Sequence, residues 1–290
     1  MRKLFSSLGL FYQRDAFRER GGGAIGLVAG RGDFPCVLAR ALRERGYSPV
    51  VVAVEREDDD TTLRDLGEAY HKVGLEDGSR IIGILEEHRV KDLLLAGKVD
   101  KKRILSSSFK GDALSEEVVE STQAKGDDRI LRNMAWILRI RGFRFLSPSD
   151  FLPECVTPQG VLSRRKPSSE ERGDLDFGLR VARVLGRLDI GQTVVVRKGA
   201  VVALEALEGT DETILRAGRL TQGSVVVKLA KPQQDLRLDM PVAGPETVVA
   251  CRESGARLLA LHALKSLMLH KEEMIRLSDE AHIALVGITA

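Results

Sequence analysis

Ala24-Ile25-Gly26-Leu27-Val28-Ala29-Gly30-Arg31-Gly32-Asp33-Phe34-Pro35 is the stretch that decides the fold. Its first six residues form an apolar run of strand length. A Gly-rich turn follows, and then Val37, Leu38, Ala41 and Leu42 recur at helical spacing until Gly46. Pro49 to Val54 is a β-branched run that ends in an acidic cluster, Glu55 to Asp60. Strand, Gly-rich turn, helix and strand make a βαβ unit, with parallel strands and a right-handed crossover.

The pattern continues outward. Ser79 is placed to cap a helix carrying Ile81, Ile82, Ile84 and Leu85. Leu93 to Ala96 reads as a buried strand ending at Gly97-Lys98. Asp127 and Asp128 open an amphipathic helix with Ile130, Leu131, Met134, Ile137 and Leu138 facing inward; two acids in the first turn suit the helix dipole. Trp136 on that helix reads as core. Gly142 ends the helix, and Phe143 to Leu146 is one more strand. Strands alternating with helices predict a parallel sheet covered on both faces. The fold class expected is therefore α/β. A Rossmann-like parallel-sheet domain spans 23–147, behind an N-terminal extension, 1–22.

Residues 148–172 differ in texture. Pro148, Pro153, Pro158 and Pro167 punctuate them, and the spacing predicts an interdomain linker. From 173 to 290 a second, mixed α/β (α+β) domain is expected. It has a helix over Asp174–Leu188, a hairpin of Thr193–Val196 and Ala200–Leu204 around Arg197-Lys198-Gly199, and a strand over Ser224–Leu229. A helix opening at Gly244-Pro245, a strand at Leu258–Leu261, a helix at Lys271–Ala281 and a strand at Ile283–Val286 complete it.

Composition narrows the function classes. The chain has 290 residues with 43% apolar and 30% charged residues, enough for packed cores and against wholesale disorder. Lys+Arg 45 against Asp+Glu 42 leaves +3, too little over this length to announce a nucleic-acid binder, so none is expected as a partner. Cys36, Cys155 and Cys251 lie far apart, which excludes a disulfide framework and fits a reducing cytoplasm. The five histidines form no HxH, HxxxH or HExxH pattern, which argues against a zinc hydrolase. No GxSxG appears, which argues against a serine hydrolase. In the extension, Arg2, Lys3, Arg14, Arg18 and Arg20 alternate with Phe5, Phe11, Tyr12 and Phe17. A membrane-surface segment is one reading and a frayed extension the favoured one.

Three constellations can carry chemistry. In the first, Gly30, Gly32 and Asp33 follow a strand, where backbone N–H groups can approach a phosphate at a helix N-terminus. The dinucleotide fingerprint fails because Pro35 occupies its third glycine, and no Walker A lysine follows. A plain tight turn is the alternative. The second is Glu205-Ala206-Leu207-Glu208-Gly209-Thr210-Asp211. Thr210 or Asp211 can simply cap a helix, but Glu205 ends an apolar strand, where a carboxylate needs a partner or a metal. The third runs from Lys228 through Lys231, Asp235, Arg237 and Asp239 to Pro241. Its cations suit a pyrophosphate and its carboxylates suit a hard cation such as Mg²⁺. The bland alternative is a solvated charged loop.

Together these blocks resemble the LpxI-type UDP-2,3-diacylglucosamine pyrophosphatases of lipid A biosynthesis. The resemblance rests on the opening strand with Gly30 to Pro35, Leu95-Ala96-Gly97-Lys98-Val99, Gly126-Asp127-Asp128 and Val161-Leu162-Ser163-Arg164-Arg165. It rests most specifically on Glu205 to Asp211 and on Lys231-Pro232-Gln233-Gln234-Asp235 through Asp239-Met240-Pro241 to Gly244-Pro245. It implies Mg²⁺-dependent hydrolysis of UDP-2,3-diacylglucosamine to UMP and 2,3-diacylglucosamine 1-phosphate. It also implies a catalytic aspartate in the second domain, for which Asp235 is preferred, with Asp239 and Asp211 behind it. Asp235, Glu205 and Glu208 are the metal ligands it suggests. Lys98, Arg164, Arg165, Thr210, Lys228, Lys231 and Arg237 join Gly30, Gly32 and Asp33 as substrate contacts, in a cleft between the domains. A cytoplasmic protein touching the inner face of the inner membrane, and a homodimer, complete the expectation. The competing reading is a nucleotide-binding module without hydrolysis, with Glu55 as a ribose-binding acid.

Overall fold

Three apolar runs, Ile25–Ala29 (β1), Val50–Val54 (β2) and Asp92–Ala96 (β4), form the centre of a parallel sheet. They show no polar alternation because helices cover both faces. The computed structural model describes residues 24–55, 61–104, 109–120 and 127–290. The extension 1–22, Gly126 and the side chains of Asp127 and Asp128 lie outside the described residues.

The sheet order is β3-β2-β1-β4-β5, with β3 at Ala69–Val73 and β5 at Arg144–Phe145, all parallel. This is a doubly wound order, in which the chain changes direction between β1 and β4. Helices α1 (Phe34–Glu44), α2 (Thr61–Leu66), α3 (Gly78–Glu87), α4 (Ala113–Glu120) and α5 (Asp127–Ile140) alternate with the strands. The sequence reading lacked α2, β3 and α4. The strand is an edge, Ala-Tyr-His-Lys-Val, and polar residues on an edge strand are tolerated because one side needs no apolar partner.

Two local readings are corrected. The α3 helix is capped by Asp77 rather than Ser79, and Asp77 makes no side-chain cap bond. Instead Asp112 Oδ2 accepts the Ser79 N–H at 2.7 Å and Ser115 Oγ accepts the Gly78 N–H at 3.0 Å. Trp136 is not core: it is 61% exposed, whereas Ala135 and Leu138 on the other side of α5 are buried.

The second sheet has the order β6-β13-β11-β9-β7-β8. Its strands are β6 (Gly160–Val161), β7 (Thr193–Arg197), β8 (Ala200–Leu204), β9 (Val225–Lys228), β11 (Leu258–His262) and β13 (Ala284–Ile288). The central β9, β11 and β13 are parallel, while β6, β7 and their neighbours pair antiparallel. A short pair, β10 (Val242–Ala243) with β12 (Leu267–Met268), stands apart. Helix α6 (Ser169–Arg187) covers one face of the large sheet, where Leu175, Ala182 and Leu185 meet Val225 and Val227. Helices α7 (Thr210–Gly218), α8 (Pro245–Glu253) and α9 (Lys271–Glu280) cover the other, where Ile214, Val248 and Met274 meet Val226. Alternate valines of one strand thus enter different cores, as the pleat requires.

The segment 148–172 was expected as a linker and is structured. It has helical turns at Pro148–Phe151 and Pro153–Cys155, and β6 pairs with β13. Thr157 is fully buried, its hydroxyl 2.8 Å from that of Ser266. The α6 helix begins within it, with a complete Ser168–Glu171 capping box. The turn at Pro148 packs against α1 and β4 of the first unit, whereas Pro153, Pro158 and Pro167 shape backbone of the second unit. The compact units divide at Phe151/Leu152, and the described residues 101–104, 109, 117–120 and 127–135 cluster with the second unit.

Candidate functional site

In doubly wound and mixed α/β sheets, ligands meet the carboxyl ends of parallel strands. In the first unit that edge carries two loops zipped together. Gly30 N donates to Ala96 O at 2.8 Å, Arg31 N to Lys98 O at 2.7 Å and Lys98 N to Arg31 O at 2.9 Å. A Cβ on Gly30 would lie 2.5 Å from Lys98 O, and one on Gly97, at φ +95°, would lie 2.7 Å from Arg31 O. Gly30 is thus required for loop-to-loop approach, where the sequence reading gave it to a phosphate. Gly32 differs: at φ +93° the place of its missing Cβ meets nothing within 4 Å. Asp33 is the N-cap of α1 without a side-chain cap bond. Arg31, missed from sequence, donates to Glu55 O at 3.2 Å and lies 3.8 Å from Asp100 Oδ2. The Glu55 carboxylate accepts the Asp100 N–H at 3.1 Å, so the acid that the nucleotide-module reading needs for a ribose is engaged by the loop after β4.

The second unit gathers more. The register Thr193↔Lys228 puts the start of β7 beside the end of β9, and Glu205 directly follows β8 at that same edge. Lys228 Nζ donates to Thr210 Oγ1 at 2.7 Å, and Thr210 Oγ1 donates to Glu205 Oε1 at 3.0 Å. The Gln192 N–H reaches Glu205 Oε2 at 3.3 Å. All of Thr193, Glu205, Thr210 and Lys228 are buried. A buried cation and anion bridged by one hydroxyl is how such charges are tolerated in a low-dielectric interior. Gln192 Oε1 is buried without a hydrogen-bond partner beside them.

The capping alternative for this block fails on both residues. Gly209, at φ +86°, is the N-cap of α7, the Thr210 hydroxyl serves Glu205, and Asp211 Oδ1 accepts the Thr247 hydroxyl at 2.9 Å. Glu208 accepts from Arg216 at 2.7 Å and from the Thr213 hydroxyl at 3.3 Å. Burial pushes the Glu208 pKa up, but its own backbone N–H and Arg216 outweigh this and hold it low.

The loop after β9 closes the cluster. Lys231 is buried and its Nζ lies 2.6 Å from Asp189 Oδ1, a partner sequence reasoning missed. Gln234 bridges Lys231 N at 2.9 Å and Asp239 Oδ2 at 2.7 Å. Arg237 grips Asp235 with two N–H groups at 2.9 and 2.7 Å, which raises the arginine's pKa. His262 ends β11, and its Nδ1 accepts the Ala230 N–H at 3.1 Å, which leaves the ring proton to Nε2. Burial first, then Lys265 and Arg183, push its pKa down and keep it neutral. His262 was also missed; a single histidine at a strand end carries no spacing signal.

Arg164 and Arg165 are not part of this cluster. Arg165 forks onto Glu171 at 3.0 and 2.5 Å and donates to Arg257 O at 3.0 Å, immediately before β11. The Arg164 N–H bonds Asp279 Oδ1 at 2.6 Å, and its side chain is 92% exposed. Both therefore sit at the amino ends of the parallel strands. An open cavity of about 640 Å³ lies at that end too, lined by Arg197, Arg252 and Arg257 with Glu170 and Glu171. It is remote from Lys228 and Glu205.

The assigned metal ligands Asp235, Glu205 and Glu208 each answer to a different protein cation or hydroxyl. Among the described residues no three acidic, histidine or cysteine side chains converge as a ready-made metal site. Mg²⁺ needs only one or two carboxylates when substrate phosphates complete its shell, so the donor chemistry still suits it.

The fold and this cluster define a two-unit α/β protein with paired buried lysines and carboxylates at the carboxyl edge of its second sheet. The family model of the LpxI N-terminal domain matches residues 24–155, and that of the LpxI C-terminal domain matches 158–286. A curated relative from Caulobacter vibrioides, named UDP-2,3-diacylglucosamine pyrophosphatase LpxI, is 30% identical over 276 residues, 91% of this chain and 97% of its own. The chain belongs to the LpxI family. Among solved structures, the biotin carboxylase domain of a thermophilic 2-oxoglutarate carboxylase matches 68% of this chain and 32% of its own, at 17% identity and a TM-score of 0.26. The same domain from Hydrogenobacter thermophilus covers 70% and 37%, at 14% identity and a TM-score of 0.26. Neither adds to the fold argument.

Proposed function

We propose that this chain hydrolyses the pyrophosphate of UDP-2,3-diacylglucosamine, releasing UMP and 2,3-diacylglucosamine 1-phosphate, in lipid A biosynthesis. It is an enzyme, a hydrolase of a diphosphate bond, by membership in a family whose curated relative carries that name. The observation that supports the site is the cluster of Lys228, Lys231, Arg237, Asp235 and Glu205 at one sheet edge.

The roles follow from pairing. Arg237 presents the same two-pronged fork to Asp235 that it would present to a phosphate. An arriving pyrophosphate competes for that fork and releases the Asp235 carboxylate. Asp235 then orients the attacking water and accepts its proton, while Arg237 takes up charge on the phosphate. Lys228 and Lys231 lend positive potential from beneath, and their pairs with Thr210 and Asp189 hold them in place. Asp239, tied to Gln234, shapes the loop. Mg²⁺ is the ion we assign, held by Asp235 and substrate oxygens; when bound it neutralises charge on the pyrophosphate.

A cytoplasmic protein working at the inner face of the inner membrane fits such a substrate, and no helix among the described residues is long and apolar enough to cross a membrane. The test is UMP release from UDP-2,3-diacylglucosamine by the purified full chain, with Mg²⁺ and with EDTA. Release that needs Mg²⁺ is expected. No release under either condition would remove the reading, and undiminished release in EDTA would remove the metal from it.

A further inference from the structure

The cavity of about 640 Å³ at the amino ends of the second sheet takes no part in the chemistry proposed above, and it lies wholly within the second unit. Three arginines line it from three elements: Arg197 at the end of β7, Arg252 in the last turn of α8 and Arg257 just before β11. Two glutamates from the first turn of α6 line it as well, and each already holds a cation. Glu170 accepts from Arg197 at 2.9 Å, and Glu171 takes the fork of Arg165. Neither Arg252 nor Arg257 is in an ion pair among the described residues, and both are exposed. The lining therefore carries two positive charges that no carboxylate among the described residues answers. The dipole of α8 accounts for a cation in its last turn, but not for Arg257, which stands in a loop.

The wall behind these charges is braced. Gly223 and Gly255 have φ of +77° and +67°, and the Gly223 N–H donates to Gly255 O at 2.8 Å, so the loops before β9 and β11 close on each other. A Cβ on Gly255 would lie 1.7 Å from Gln222 Oε1, and one on Gly223 would meet the Arg197 guanidinium at 3.4 Å. The Arg257 N–H donates to Ser224 O at 2.8 Å, and Arg257 O accepts from the Ala284 N–H at 2.9 Å and from Arg165 at 3.0 Å. A braced wall spares a ligand the cost of ordering it.

We propose that this cavity binds a phosphomonoester of a polar small molecule, with Arg252 and Arg257 gripping its dianionic phosphate. Two guanidinium forks match a phosphate dianion in charge and in geometry. The volume falls within the range of about 300–1,000 Å³ usual for small-molecule pockets, which leaves room for a sugar-sized body beside the phosphate. That body is polar, because Gln222 and Glu170 offer it hydrogen bonds and the apolar side chains of the lining are only the methyls of Ala256 and Ala281. A phosphate carrying acyl chains finds no apolar wall here. The inference does not need the hydrolase reading, because binding is measured without substrate.

The test is isothermal titration calorimetry of the full chain with ribose 5-phosphate, and with sodium sulfate at matched ionic strength. Titrations are run in wild type and in Arg237→Gln, which weakens any phosphate binding at the Lys228–Asp235 cluster. Saturable binding of ribose 5-phosphate is expected in both, at least about tenfold tighter than that of sulfate, since the sugar body adds contacts that sulfate lacks. The Kd should rise at least about tenfold in Arg252→Ala and in Arg257→Ala, the effect of losing one charge-assisted contact. Both positions are exposed, and circular dichroism identical to wild type verifies that each variant folds. No binding by wild type at about 10 mM ribose 5-phosphate would overturn the proposal. Binding that ignores both cavity substitutions, or that disappears in Arg237→Gln, would place the phosphate elsewhere and overturn it too. Sulfate bound as tightly as ribose 5-phosphate would reduce the site to general anion attraction and remove the phosphomonoester.

Discussion

Arg165→Met separates a substrate contact from a structural strut, the two roles open to this arginine. Its guanidinium holds Glu171 through bonds of 3.0 and 2.5 Å, and Glu171 is only 6% exposed. The same carboxylate accepts the Ser168 N–H at 2.8 Å and completes the cap of α6, the helix that covers one face of the second sheet. Removing one member of a buried pair strands the other and costs about 3–5 kcal/mol. The Arg165 side chain is 22% exposed, so water can partly replace it, and the Ser168 N–H remains. We therefore expect about 2–3 kcal/mol, a fall in Tm of about 4–12 °C. Methionine keeps the apolar stem, so the loss reports the charge.

The pH dependence carries a second signature. Burial pushes the Glu171 pKa up, but Arg165 and the Ser168 N–H outweigh it and hold it below the usual carboxylate range. A folded pKa below the unfolded one gives stability that is present above the unfolded value, about 4.3, and lost as pH falls through the folded value. In Arg165→Met burial dominates, so the stability present above about pH 4.3 should vanish or reverse, and the loss on acidification below about pH 4.3 should go with it. Thermal unfolding by circular dichroism at several pH values reads both effects. UMP release at 25 °C should keep kcat and KM within about twofold. An unchanged Tm with KM raised about tenfold would refute the reasoning and return Arg165 to the substrate.

Asp235→Asn should lower kcat about 10²- to 10⁴-fold while leaving the Tm within a few degrees; steady-state UMP release checks it, and near-normal turnover moves the role to Asp239 or Asp211. Lys228→Met strands Glu205 with Thr210, so it should lose both stability and turnover, and adding Glu205→Gln should restore stability but not turnover. Gly97→Ala should cost more in urea unfolding than Gly32→Ala. Both sites have positive φ, but only at Gly97 would the new Cβ strike backbone, and equal costs would count against the zipped-loop account.

The sequence by itself determined the elements that depend on near neighbours. The apolar runs at Ile25–Ala29, Val50–Val54 and Asp92–Ala96 had to be buried strands. The Lys198-Gly199 turn, with φ of +50° and +73°, had to close a hairpin, because strand twist selects left-handed turn residues. The blocks Glu205 to Asp211 and Lys231 to Asp239 were legible as polar residues at strand ends, since loops there are where sites are built. Only the tertiary structure decided which charge answers which. Lys231 finds Asp189 at a separation of 42 residues, and Lys228 reaches Glu205 only through Thr210. Arg164 and Arg165 read as phosphate ligands because arginine suits a phosphate and Glu171 equally, and spacing carries no trace of which end of a sheet they occupy. Trp136 read as core because a 3.6-residue period shows that a helix has an apolar side but not that a second apolar pair faces outward. Local sequence fixes backbone and period; the long-range packing of strands fixes partners, exposure and the edge on which chemistry gathers.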